Sequence, residues 1–158
     1  MSRMFQVAID SASATTQRDL IEIVAGSGVP IRVHEVYLST DLEQDANEAM
    51  DKLKVSRFVG AFTSGSGGAT AAAYALGVTG ATEDSATCEV GNTTQITGGT
   101  EEILAELWVN NRIGWHYLPT PEARPTIDAT DAFVVGMQAA FAAATAVAGW
   151  AVFEELIG

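Results

Sequence analysis

Cysteine is almost missing from this sequence: Cys88 stands alone among 158 residues. No intramolecular disulfide can form, and a cysteine-based zinc cluster is excluded. Folding must rest on packing, and a chain of this length buries enough apolar surface to make one domain, residues 1–158, without covalent staples. Basic side chains are also scarce, eight Lys and Arg against twenty Asp and Glu, for a formal net charge of -12. A duplex or an anionic bilayer repels such a surface, so neither nucleic acid nor a membrane is an expected partner. Only His34 and His116 could supply imidazole. They lie far apart in sequence, which is thin material for nucleophilic catalysis or for a metal site, and no enzyme activity or cofactor is expected. The first ten residues lack a basic stretch followed by an apolar core and a small-residue cleavage site, so synthesis in the cytoplasm is expected.

Uncharged length, in contrast, is present. Residues 132–153 contain no Asp, Glu, Lys or Arg and are long enough to cross a bilayer as a helix. Ala dominates the stretch, Gly136, Gln138, Thr145 and Gly149 interrupt it, and its flanks are Asp128, Asp131, Glu154 and Glu155 instead of Lys or Arg. Insertion energy and positive-inside anchoring are both weak. Two strands, 131–139 and 147–156, joined by a small-residue loop at 140–146, are preferred to a buried helix or a membrane span. In the second, Val147, Gly149, Ala151, Phe153 and Glu155 face one way and Ala148, Trp150, Val152 and Glu154 the other.

Similar segments, rich in β-branched and aromatic residues, recur at 4–9, 19–25, 31–39, 53–63, 101–109 and 126–127. Turn formers separate them: Gly26 to Pro30, Ser64 to Gly68, Gly98-Gly99, Asn110-Asn111 and Pro119-Thr120-Pro121. In 101–109, Ile103, Ala105, Leu107 and Val109 form an apolar face opposite Glu102, Leu104, Glu106 and Trp108. Weak strands fit near 71–75 and 86–90. The spacing of Leu42, Ala46, Ala49, Met50 and Leu53 fits one short helix. The expectation is an all-β fold, a jelly-roll-like antiparallel β-sandwich with at most that one helix.

Familiar motifs fail in detail. The acidic stretch from Asp41 has Ala46 and Lys52 where a calcium loop needs Gly and a bidentate Glu. Gly65, Gly67 and Gly68 are followed by neither the Lys-Ser/Thr of a P-loop nor the third Gly of a dinucleotide fingerprint, since Thr70 stands there. Asn92-Thr93-Thr94 matches a glycosylation sequon by chance spacing. The most distinctive segment is Trp115-His116-Tyr117, followed by Pro119, Pro121, Arg124 and Pro125. Amphipathic aromatics and Arg suit a protein interface, so Trp115, His116, Tyr117 and Arg124 are candidate partner contacts. The competing reading pins this loop to the domain's own core.

The order Asp19-Leu20-Ile21-Glu22-Ile23, Val33-His34-Glu35-Val36, Gly65-Ser66-Gly67-Gly68, Asn92-Thr93-Thr94-Gln95, Gly114-Trp115-His116-Tyr117-Leu118-Pro119-Thr120-Pro121-Glu122 and Phe153-Glu154-Glu155 resembles capsid decoration (cement) and other minor virion proteins of tailed bacteriophages and prophages. The resemblance implies a jelly-roll-like homotrimer on the outer capsid surface, with the major capsid protein as partner and no catalytic or ligand residues to carry over. Trimers would add avidity and would stabilise the assembled shell by mass action. A carbohydrate- or receptor-binding sandwich of a phage fibre or cell surface is the alternative, with Trp108 or Trp115 stacking on sugar.

Overall fold

A computed structural model describes residues 2–15, 18–41, 50–77, 85–110, 113–139 and 144–157. Among these the chain forms β1 (Ser2–Ala14), β2 (Asp19–Val24), β3 (Ile31–Thr40), β4 (Met50–Thr63), β5 (Ala69–Ala71), β6 (Ala73–Ala75), β7 (Thr87–Asn92), β8 (Thr97–Asn110), β9 (Trp115–Tyr117), β10 (Thr126–Ile127), β11 (Ala132–Met137) and β12 (Thr145–Leu156). A single 3-10 turn, Pro121–Ala123, separates β9 from β10. The strands make two six-stranded antiparallel sheets. The first runs β10-β3-β12-β1-β6 with β9 also on β3, and the second runs β5-β7-β2-β11-β4-β8.

The pairings are nested. β1 pairs with β12, β2 with β11, β3 with β9 and β10, and β4 with β8, so strands at similar distances from the two chain ends meet. Rolling such a nested hairpin into two facing sheets gives a jelly roll. β5, β6 and β7 are an insertion between β4 and β8, and they extend both sheets beyond β1 and β2.

Alternation places the core between the sheets. Phe5, Val7, Ile9, Val33, Ala151 and Phe153 point inward from the first sheet, and Ile21, Ile23, Val55, Phe133, Val135 and Met137 from the second. Phe5 and Phe153 stack with ring centroids 5.6 Å apart. Burying each such ring contributes about 1.5–3 kcal/mol. β11 is buried along its whole length. Its other face, Ala132 and Val134, packs with Phe58 and Ile96 in a second cluster, which explains why the segment reads as an unbroken apolar run instead of an alternation.

That second cluster exists because two connections cross the outside of the second sheet. β4 and β8 lie at one edge of the sheet, β5 and β7 at the other. Residues 64–68 and 93–96 must therefore span it, and a bridge between Ser66 and Thr94 holds them together. Carboxylates of β2 anchor both: Glu22 Oε2 accepts from the Gly65 amide at 3.0 Å, and Asp19 Oδ2 accepts from the Ile96 amide at 2.7 Å. The glycine-rich loop is thus a tightly packed strap. A Cβ at Gly65 would lie 2.6 Å from Asn92 Nδ2.

Three expectations need correction or placement. Met50 and Leu53 belong to β4, so no helix covers them; Leu42, Ala46 and Ala49 lie outside the described residues. Ile103 does not share a face with Ala105, because a bulge moves the register from Val55↔Ala105 to Ser56↔Ile103 and turns Ile103 away from the core. Residues 132–153 divide between β11 and β12, with 140–143 outside the described residues, and no helix among those described is long and apolar enough to cross a membrane.

Candidate functional site: an aromatic and acidic sheet face

The outer face of the first sheet carries a cross-strand row of unusual content. Register aligns Ala8 on β1 with Trp150 on β12, Trp150 with Tyr37 on β3, and Tyr37 with His116 on β9. Opposed residues on one face of antiparallel strands touch, so the three rings meet. Tyr37 and Trp150 stack at 4.6 Å between centroids and 25° between planes, and His116 stands edge-on to Tyr37 at 6.0 Å. Two glycines make room for Tyr37. A Cβ at Gly114 would come within 2.5 Å of its hydroxyl, and one at Gly149 would overlap its backbone carbonyl.

Carboxylates hold this row in place. Trp150 Nε1 donates to Glu35 Oε1 at 2.8 Å, and His116 Nε2 lies 3.5 Å from Glu35 Oε2. One strand pair further along, His34 Nε2 is 3.1 Å and Arg32 Nη1 3.7 Å from Glu154 Oε2. Tyr74, Met4 and Leu76 are exposed beside it at the β6 edge. Rigid aromatic faces with polar rims are equipped to bind. Among the described residues no group of three or more His, Cys, Asp or Glu is placed to hold a metal ion.

The four residues singled out from sequence divide. Pairing β9 on β3 turns alternate side chains to opposite sides, so His116 is exposed on this face while Trp115 and Tyr117 pack against the core. The latter two stack on each other at 6.0 Å, and burial raises the pKa of Tyr117. Arg124 ends the 3-10 turn half-buried, its Nε enclosed without a hydrogen-bond partner among the described residues. Of the four, only His116 joins the row. Tyr37, Trp150 and Glu35 were not singled out. Their signal was the presence of large aromatics at the outward positions of 31–39 and 147–156, where a solvated sheet face carries small or charged groups.

A recess of about 270 Å³ opens on the outer face of the other sheet between the 93–96 strap and β8. Asp19, Lys54, Ser56, Gln95 and Glu101 line it. Its polar groups already satisfy one another: Lys54 Nζ lies 2.6 Å from Glu101 Oε1, and Ser56 Oγ donates to the same oxygen at 2.8 Å. Burial, reinforced by neighbouring Glu22, pushes the Asp19 carboxyl up to about 6, against the pull of the Ile96 amide. Compared with protein-family models, with curated proteins and with solved structures, the chain matches none.

Proposed function

We propose that this chain is a capsid decoration module, a virion protein made in the host cytoplasm that docks on the major capsid protein and stabilises the head. Copies of the chain act together as a homo-oligomer, a trimer in the arrangement implied by the resemblance. The observation that supports docking is the Tyr37, Trp150 and His116 row on an open sheet face, because rigid aromatics with a polar handle bury large area at low entropic cost. The jelly roll is consistent with this role, being shared by viral capsid domains, lectins and cupins, but by itself it selects none of them. The reading expects a major capsid protein gene beside this one, and purified chain should co-sediment with shells assembled from its product. Trp150→Ala should weaken that binding by about 30-fold, the effect of losing an interface anchor. Failure of the folded wild-type chain to bind any such shell overturns the reading.

A carbohydrate- or receptor-binding role is the second reading, and one observation favours it. The stacked Tyr37 and Trp150 rings lie beside the Glu35 carboxylate, which combines a platform for a pyranose face with an acceptor for its hydroxyls. Glycan-array signal that disappears in Trp150→Ala and persists in Trp108→Ala would select this reading over decoration.

A further inference from the structure

We infer that β8 is the seam along which copies of this chain associate, its free edge and outward apolar side chains meeting those of a second copy. This rests on the homo-oligomeric part of the proposed function and on none of the rest. β8 ends the second sheet, and among the described residues no strand pairs with its far side. Its length, Thr97–Asn110, makes it one of the two longest strands described, whereas β5 at the opposite edge has three residues. Among the described residues, the β8 edge from Thr97 to Val109 meets no neighbouring strand on the side away from β4; such an edge invites another strand, and a strand edge is its own complement in an antiparallel arrangement.

The side chains agree. Register places Ile103 beside Ser56 and Trp108 beside Lys52, on the face turned away from the core. They are 55% and 62% exposed, and Leu104 at the bulge is 36% exposed. A surface meant for water does not ordinarily gather three such residues on one strand.

Charge identifies the occupant. Each glutamate of β8 is neutralised from β4: Glu106 by Lys52 at 2.8 Å, Glu101 by Lys54 at 2.6 Å, and Glu102 by Arg57. Three of the chain's eight basic residues are spent on these pairs, so the glutamates of β8 add no net charge in a chain whose total is -12. Two identical acidic chains repel wherever their unpaired carboxylates face each other. Along β8 they do not. A basic partner would gain nothing from a strip whose carboxylates are already paired, so a second copy is the occupant that the chemistry fits.

Sedimentation equilibrium of the full chain, run over a range of concentrations, tests this. The wild type should associate, and salt should tighten the association by screening repulsion between the acidic remainders. Ile103→Lys combined with Trp108→Lys should raise the dissociation constant by about 30-fold or more. The added lysines lower net charge and general repulsion, so dissociation would report the local contact. Both sites are exposed, and an unchanged unfolding midpoint would confirm that the variant folds. A wild type that stays monomeric at millimolar concentration, or an oligomer that survives the double substitution, overturns the inference. So does an oligomer dissolved by Trp150→Ala instead. Shell binding is read separately, so failure of the seam and failure of the decoration reading give different results.

Discussion

Asp19→Asn should make the protein more stable at neutral pH and should flatten its response to mild acid. Asp19 is 1% exposed, and its carboxyl is pushed up from 3.8 to about 6, first by burial and then by Glu22, against opposing hydrogen bonds from Ile96 and Gln95. The folded chain thus holds the proton more tightly than the unfolded chain does. The carboxyl is least unfavourable to the fold below pH 3.8, and that advantage is lost as pH rises through about 6. A displacement of this size amounts to about 3 kcal/mol between the extremes. Between pH 7 and pH 5 roughly 1 kcal/mol of this is recovered, which in a chain of this size raises Tm by a few degrees. Acid also relieves repulsion across a chain of net charge -12, so the slope of the wild type alone proves little. The difference between wild type and Asp19→Asn isolates the buried group, since Asn keeps an oxygen for the Ile96 amide and removes the charge. Urea unfolding of both proteins at half-unit steps between pH 5 and pH 7 measures it. The two curves should converge as pH falls. Parallel curves would refute the assignment of a buried, proton-hungry carboxyl to this position.

Two further substitutions probe what positions the faces. Gly149→Ala should destabilise by about 3 kcal/mol or more, because the added Cβ overlaps the backbone carbonyl of Tyr37 and nothing flexible can yield; calorimetry would read it, and a near-neutral variant would contradict the close pairing of β12 with β3. Glu22→Ala removes the acceptor of the Gly65 amide in a buried setting and should cost about 1–3 kcal/mol. It should also speed hydrogen exchange at residues 64–68, and unchanged protection there would show that the strap does not depend on this anchor.

Where two faces of a strand differ, the sequence was readable. The alternation of β12 gave its inward set, Val147, Ala151 and Phe153, and its outward Trp150. What hid the rest is physical. A bulge inverts parity without any residue that announces it, so Ile103 looked like a core position. β5 and β6 are three-residue strands made almost wholly of Ala, with one Thr and one Tyr, whose pairing comes from neighbours and not from intrinsic preference. Trp115, His116 and Tyr117 are consecutive in the chain, yet strand geometry turns His116 to the outer face and sends Trp115 and Tyr117 together to the core. The row that does form, Tyr37, Trp150 and His116, assembles residues from three strands far apart in sequence. Only strand order brings them together.

The acidic composition likewise acquires a different meaning once placed. As composition it speaks of solubility. In the fold, Asp19 and Glu22 hold the straps, Glu101, Glu102 and Glu106 pair with β4, and Glu35 and Glu154 hold Trp150, His116, His34 and Arg32. The two outer faces therefore differ in what they can meet. On the outer face along β8, Glu101 and Glu106 are matched by lysines, and an apolar, uncharged partner surface suffices. On the first sheet Glu35 is held by an indole and an imidazole, donors weaker than a guanidinium. A partner that brings Arg to Glu35 can replace the indole bond with a bidentate one and leave Trp150 free to pack against the arginine's aliphatic stem. A partner surface with an arginine among apolar residues would then bind this face more tightly than an apolar surface alone, and Glu35→Gln would weaken that partner while sparing contacts along β8.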